Sequence, residues 1–390
     1  MNPRITTFQL EHHTVCSKIR ILDPLQALEG LGRCQLSQGI WPEGEGMMSV
    51  KFRPDEMDVA VFQRHFCIEQ QNEVFRQLLT RGIPMVFDID DDFLNVPDDH
   101  IHAHQLLKIR PNVMKLLSIS DCVTVTTEEL QALYAPHCQR VEIIRNTLNP
   151  ALWTNPRRWT QGGPLVVGYA GSATHEGDLK MVEQVLMDFL DAHKGAVELH
   201  LWGCATDRLQ AHPHVRFRES YKGDYHDYAR AVQTEPMDIA LAPLESLPFN
   251  RAKSALKWKE YAVGSIPSIV SRIPAYERVV EEGVTGFICD TPTQWRETLE
   301  RLVADPALRR KVGEEARRRM TAEYSLEKAV QRWEEVLGSV VRREPKPKKP
   351  GPYSSIIIPV FNRCELTEKC LEAVFRNPQE HFEVLVVDNA

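Results

Sequence analysis

The chain has 390 residues, 43% hydrophobic, 26% charged and 8% aromatic, which is ordinary globular composition with enough apolar material for cores in two or three domains. Its formal net charge of −7 argues against a general nucleic-acid binder, which needs a basic face to neutralise phosphates. No apolar run approaches the roughly 18 to 20 residues of a membrane span. Nine cysteines (Cys16, Cys34, Cys67, Cys122, Cys138, Cys204, Cys289, Cys364 and Cys370) are scattered without a C-x-x-C pair, and no secretory signal opens the chain. That pattern is expected of inert thiols in a reducing cytosol.

Short apolar strands alternate with helical patterns from the start, which predicts a parallel sheet covered on both faces. Residues 5–10 read as the first strand. A loop with His12, His13, Thr14 and Cys16 follows, then a helix carrying Ile19, Leu22, Leu25 and Leu28. Residues 59–63, 85–89, 122–126 and 141–144 read as further strands. The breakers Asn149-Pro150, Asn155-Pro156 and Gly162-Gly163-Pro164 then place a linker, dividing an N-terminal domain at 1–155 from a second domain at 160–341.

The second domain restarts the alternation with a strand at 165–170, a helix at about 177–193, strands at 197–202 and 239–242, a lysine-rich helix, and a strand at 268–270. Trp295, Leu299, Leu302 and Val303 share one helical face, as do Leu308, Val312, Ala316 and Met320. Residues 326–341 form a last helix packing back on the body. A Pro- and Lys-rich linker spans 342–352. Residues 353–390 read as strand, helix and strand, and the chain is expected to stop inside a third domain.

The most informative run is Asn250-Arg251-Ala252-Lys253-Ser254-Ala255-Leu256-Lys257-Trp258-Lys259-Glu260, leading through Gly264-Ser265-Ile266-Pro267 into the apolar Ser268-Ile269-Val270. Read as one helix, it sets Lys253 and Lys257 a turn apart on one side, which suits a diphosphate bridged by two ammonium groups. Glu260 is then a carboxylate for ribose hydroxyls. The plain alternative is a solvated basic face, with Lys259 another surface charge. A small-residue turn, Gly171, Ser172, Ala173 and Thr174, follows the 165–170 strand and lets backbone N–H groups approach a phosphate; His175 and Asp178 sit beside it.

Asp88, Asp90, Asp91 and Asp92 place four carboxylates in five residues at a strand end. A hard cation such as Mg²⁺ could bind there; the alternative, implied by the resemblance named next, is that Asp88 or Asp90 faces the acceptor side of a cleft. His12, His13 and Cys16 have no second ligand pair of zinc spacing; they lie in the loop after the first strand, where the resemblance named next implies that His12 and His13 border an acceptor pocket with Arg20 as an anion contact.

Gly168-Tyr169-Ala170-Gly171-Ser172, the run 253–267, Glu282-Gly283-Val284-Thr285-Gly286-Phe287 and Asp305-Pro306-Ala307-Leu308-Arg309 together resemble the GT-B glycosyltransferases of family 4. The likeness covers roughly residues 160–340, and the N-terminal half only by pattern. It implies an α/β double Rossmann-like fold, two parallel-sheet domains facing a cleft. It implies sugar transfer from a nucleoside diphosphate sugar, with retention at the anomeric carbon and no metal or tightly bound cofactor. Lys253, Lys257, Asp88 and Asp90 would be catalytic. Gly171 to His175, Asn250, Arg251, Lys253, Ser254, Lys257 and Glu260 would bind the donor.

The implied acceptor is a glycan or lipid-linked glycan in bacterial surface polysaccharide or lipopolysaccharide synthesis. The enzyme would be cytoplasmic, with Lys346, Lys348 and Lys349 available for a peripheral contact with anionic lipid at the inner face of the membrane. Residues 354–390, with Ile357-Ile358-Pro359-Val360-Phe361-Asn362-Arg363 and Val386-Val387-Asp388-Asn389, resemble the opening of a family 2, GT-A glycosyltransferase. Its Asp-x-Asp and catalytic base do not occur here, so this tail is expected to be inactive alone.

Two departures from family 4 stand out. The usual Glu, seven residues, Glu pattern keeps its second member as Glu260 while the first falls on Ala252, and the usual phosphate-binding Arg and Lys fall near Ser172 and Glu176. They motivate a competing reading, a non-catalytic nucleotide- or glycan-binding scaffold in a multidomain glycosyltransferase.

Overall fold

The computed structural model describes residues 2–9, 14–42, 48–64, 66, 71–154, 162–219, 224–341, 354–360, 364–375 and 382–388. It forms two compact units, 1–341 and 342–390. In the first unit the strands of the N-terminal half are β1 (Arg4–Phe8), β2 (Gln35–Gln38), β3 (Ile40–Pro42), β4 (Met48–Val50), β5 (Val59–Gln63), β6 (Met85–Asp88), β7 (Cys122–Val125) and β8 (Val141–Ile143). β3 and β4 pair as an antiparallel hairpin, and the other six form a parallel sheet in the order β2-β1-β5-β6-β7-β8.

A second sheet follows from β9 (Leu165–Ala170), β10 (Val197–Trp202), β11 (Val215–Arg218), β12 (Ile239–Ala242), β13 (Ser268–Ser271) and β14 (Phe287–Cys289). It is also parallel, in the order β11-β10-β9-β12-β13-β14. Strand order reverses between β1 and β5 in the first sheet and between β9 and β12 in the second. The crevice outside the carboxyl ends of strands at such a point is where open α/β sheets bind ligands.

Every residue of β5, β6 and β7 is buried, as expected of strands covered on both faces. On one face Phe8 stacks on Phe62 at 4.6 Å, with Phe66 and Phe75 around them. The other face is covered by the helix Leu326–Val341, whose Trp333, Val336, Leu337 and Val340 cluster with Ile5, Val59 and Val86. Each such side chain contributes about 1.5–3 kcal/mol of burial. The helix that follows the second sheet in sequence therefore packs on the first, and its Trp333 Nε1 donates to the Arg20 carbonyl at 3.0 Å.

The strands that sequence reading passes over are short or lie towards the sheet rims. β2 reads Gln-Leu-Ser-Gln and β11 Val-Arg-Phe-Arg, edge strands whose outer residues meet water, so neither carries an apolar run. The lysine-rich segment also differs from expectation, because it is two helices, Pro248–Arg251 and Leu256–Val263, separated by 252–255. Lys253 lies in the break, so it and Lys257 are not a one-turn pair on a single helix. After the second helix, Ser265 adopts φ 58°. There Gly313 of the helix Pro306–Glu323 comes so close that an added Cβ would sit 2.0 Å from the Ser265 carbonyl oxygen.

The second unit pairs β15 (Ser354–Val360) with β16 (Phe382–Asp388) in parallel, from Ser354 opposite Phe382 to Val360 opposite Asp388. The helix Cys364–Phe375 joins them. Among the described residues no helix is long and apolar enough to cross a membrane.

Candidate active site in the interlobe cleft

A cleft of about 770 Å³ opens between the carboxyl ends of the two sheets, within the first unit. The second lobe supplies the residues after its strands: Gly171, Ser172 and His175 after β9, Trp202 and Gly203 at the end of β10, and Arg218 and Glu219 at the end of β11. It adds Tyr225 and Tyr228 from the helix Tyr225–Thr234, with Lys253, Ser254, Lys257 and Glu260. The first lobe supplies Thr14, Val15 and Cys16 after β1, Asp90 and Asp91 after β6, and Asn146.

Lys257 projects from the first turn of its helix onto the end of β9. Its ammonium donates to the Ala170 carbonyl and lies 5.0 Å from the centre of the Tyr169 ring. Burial lowers its pKa, against the opposing pull of Glu260 and Asp178. One turn further, Glu260 is 4% exposed and accepts the Tyr228 hydroxyl at 3.0 Å. Burial pushes its carboxyl up to about 7, against the opposing charge of Lys257 and the Tyr228 hydrogen bond. Desolvation disfavours the ionised form of each group more than their mutual attraction restores it.

Lys253 reaches the cleft from the helix break. Its ammonium lies 3.6 Å from Asp91 Oδ1 on the opposite lobe and 4.6 Å from the centre of the Phe249 ring. Ser254 accepts from Asn146 Nδ2 at 2.9 Å across the lobes. His175 Nδ1 pairs with Asp178 Oδ2 at 2.7 Å, and Asp178 Oδ1 accepts from the Glu245 N–H at 2.8 Å and Asn250 Nδ2 at 3.0 Å. Burial is the first cause lowering the His175 pKa, with the two lysines adding to it against the pull of Asp178.

The structure thus brings Lys253, Lys257, Glu260, Ser254, Gly171, Ser172, His175 and Asp90 to one cleft. Several other expectations need correction. Asn250 is buried and bonds Asp178, so it orients the wall without lining it. Arg251 is exposed and donates to Ser246 Oγ at 3.3 Å, outside the lining. Ala173 and Thr174 run along the rim, where Thr174 Oγ1 meets Ser172 Oγ at 2.6 Å. The Gly171 N–H closes the sheet by donating to Trp202 O at 2.9 Å, so it does not offer itself to a phosphate. His12 and His13 lie outside the described residues.

The acidic run divides into three roles. Asp88 is fully buried and forms a two-pronged pair with Arg20, Oδ1 at 2.5 Å from Nη2 and Oδ2 at 3.2 Å from Nε, while Thr124 Oγ1 donates to it at 2.7 Å. Arg20, 1% exposed, also donates to the Ile144 carbonyl and to Asn146 Oδ1. Neither Asp88 nor Arg20 is a cleft group, since two opposite buried charges are stable only when held against each other. Asp90 and Asp91 turn to Arg64, at 3.0 and 2.5 Å. Asp92 accepts from the N–H groups of Leu94 and Asn95, both at 2.9 Å, closing a turn. Among the described residues no group of three or more His, Cys, Asp or Glu side chains could hold a metal ion.

Sequence reasoning missed Arg64, Trp202 and Tyr228. Tyr228 had a signal: Asp224 as an N-cap, accepting from the Asp227 N–H at 3.0 Å, ahead of the periodic Tyr225, Ala229 and Val232. Lys259 is a different miss. It is buried, its ammonium donates to the Asn146 carbonyl at 2.7 Å across the lobes, and burial lowers its pKa to about 7.

Residues 183–335 match the family described as "Glycosyl transferase-like" and residues 355–390 the family "Glycosyl transferase family 2". Solved structures share the two-sheet arrangement. Sucrose-phosphate synthase from Thermosynechococcus elongatus aligns with a TM-score of 0.60 at 13% identity, over 87% of this chain and 99% of that one. The chain carries a glycosyl transferase-like domain on a GT-B fold. Anabaena HepE, solved in complex with UDP-glucose, aligns with this fold at a TM-score of 0.58 and 14% identity, over 86% of this chain and 100% of that one. A glycogen synthase from Mycobacterium tuberculosis is 24% identical over 242 residues, 60% of this chain and 57% of the relative. The chain therefore spans a little over half the length of the curated relatives it matches.

Proposed function

We propose that this chain is a glycosyltransferase that moves a sugar from a nucleoside diphosphate sugar to a glycan hydroxyl, with retention at the anomeric carbon and without a metal ion. The observation that carries the reading is the convergence of Lys253, Lys257 and Glu260 in one cleft at the strand-order reversal of a GT-B fold. In this reading the two ammonium groups hold the diphosphate, Glu260 accepts the ribose hydroxyls, and the base lies towards Trp202 and Tyr228. Anabaena HepE with UDP-glucose is the precedent for the donor class.

As the glycosidic bond breaks, negative charge grows on the leaving diphosphate. Lys257, desolvated beside Ala170, meets that charge in a medium that screens it little. The leaving diphosphate itself takes the acceptor's proton, so the site needs no separate base. The acceptor hydroxyl enters between Thr14–Cys16 and Asp90. A lipid-linked glycan acceptor, surface polysaccharide synthesis and a cytoplasmic setting with peripheral membrane contact belong to the same proposal.

Ala252, buried where the family places a glutamate, favours the second reading, a non-catalytic scaffold. Release of free nucleoside diphosphate from UDP-glucose, ADP-glucose and GDP-mannose separates the two. An enzyme releases it with and without EDTA; a protein that binds these donors and turns none over with glycan acceptors is a scaffold. Loss of turnover in EDTA removes the metal-free mechanism alone.

A further inference from the structure

The first glutamate of the family 4 pattern falls on Ala252, and the fold keeps that position out of the cleft. Ala252 is 4% exposed and packs with the first lobe's core, and its carbonyl accepts from Thr127 Oγ1 at 2.9 Å. Three acids on the second lobe's side of the cleft are already committed. Asp224 caps a helix, Glu235 is paired with Arg218, and Glu260, which accepts from Tyr228, is assigned to the ribose. The carboxylate beside Lys253 is Asp91, which comes from the opposite lobe.

We propose that Asp91 is a sugar-specificity residue: it accepts a hydrogen bond from a hydroxyl of the transferred sugar, and it holds Lys253 across the cleft until the donor's diphosphate draws that ammonium away. This rests on the donor reading above. A donor's sugar is bonded directly to its diphosphate, so a carboxylate 3.6 Å from a phosphate-binding ammonium faces the next group along the ligand.

Asp91 is held in place for that task. Its Oδ2 receives Arg64 Nη2 at 2.5 Å, and Arg64 adopts a left-handed backbone, φ 49°, with its N–H donating to the Asp88 carbonyl at 2.8 Å. Oδ1 faces Lys253 and, with two lone pairs, has room for a hydroxyl when the ammonium leaves. Burial would raise this carboxyl, yet Lys253 and Arg64 outweigh it and hold it below the usual range, so it is an ionised acceptor.

The test compares Asp91→Asn with wild type by calorimetric binding of UDP, ADP and GDP and of UDP-glucose, ADP-glucose and GDP-mannose. Asparagine no longer competes for Lys253, so the free nucleoside diphosphate binds as tightly as before or more tightly. The matching sugar nucleotide loses about tenfold or more relative to it, the size of a hydrogen bond to a charged acceptor. Should Asp91→Asn not fold, Asp91→Glu keeps the pairing charge while moving the oxygens by one methylene. The same change in ratio is then expected, with nucleoside diphosphate binding at wild-type strength. Equal weakening of both ligands, or an unchanged ratio, overturns the role of Asp91 and leaves the donor reading standing. Wild-type protein that binds none of the three nucleoside diphosphates overturns both.

Discussion

At the strand ends of the first lobe the arginines are already matched: Arg20 grips Asp88 in the core and Arg64 grips Asp90 and Asp91 beside the cleft. At the strand ends of the second lobe the lysines meet weaker partners. Lys257 has a carbonyl and an aromatic face, and Lys253 has one carboxylate at 3.6 Å. A fork-shaped guanidinium closed on a carboxylate is a structural element, whereas an ammonium over a carbonyl retains capacity for an anion. The same sign of charge thus stabilises one lobe and equips the other.

The sharpest way to break this contrast is Arg20→Ala, which leaves Asp88 charged and buried without its partner. It should cost about 3–5 kcal/mol, read from the urea midpoint. A loss under about 1 kcal/mol would mean that the pair is not the structural element described. Lys257→Ala is the mirror case. Donor turnover should fall on the order of a hundredfold, while the melting temperature stays within a few degrees, because a desolvated cation has been removed.

Glu260→Gln sharpens the comparison through pH. The Glu260 carboxyl is raised from 4.5 to about 7 in the folded protein, so donor affinity that depends on its ionised form should climb as pH rises through about 7. The glutamine variant should bind more weakly with no such step. The linked stability runs the other way. A raised acid contributes fully below about 4.5 and loses that contribution as pH rises through about 7, so the wild-type minus variant difference in unfolding free energy should decline across that window. Arg251→Ala is the smallest change: stability within about 0.5 kcal/mol and unchanged turnover are expected of an exposed arginine outside the cleft lining. A large loss of turnover would return Arg251 to the donor site.

The alternation of buried strands with amphipathic helices was legible along most of the chain, because parallel strands covered on both faces must be written as apolar runs. β5, β9, β10 and β12 fall where those runs lie, whereas β2, β11 and the β3–β4 hairpin do not announce themselves. The acidic run was legible as a feature and misleading as a site. Residues 88 to 92 leave the end of β6 in different directions, so Asp88 enters the core while Asp90 and Asp91 reach the cleft.

Local sequence determined the α/β class, the two-part alternation and the presence of cations followed by an acid at 253–260, since strand and helix periodicity and side-chain chemistry are properties of short segments. Tertiary structure alone decided which charges are free to meet a ligand. It pairs Arg20 with Asp88 over 68 positions, buries Lys259 against Asn146, and brings Asp91 to Lys253 from the other lobe. The physical reason is that a charge's role depends on its solvation and its partner, and both are supplied by residues distant in the chain.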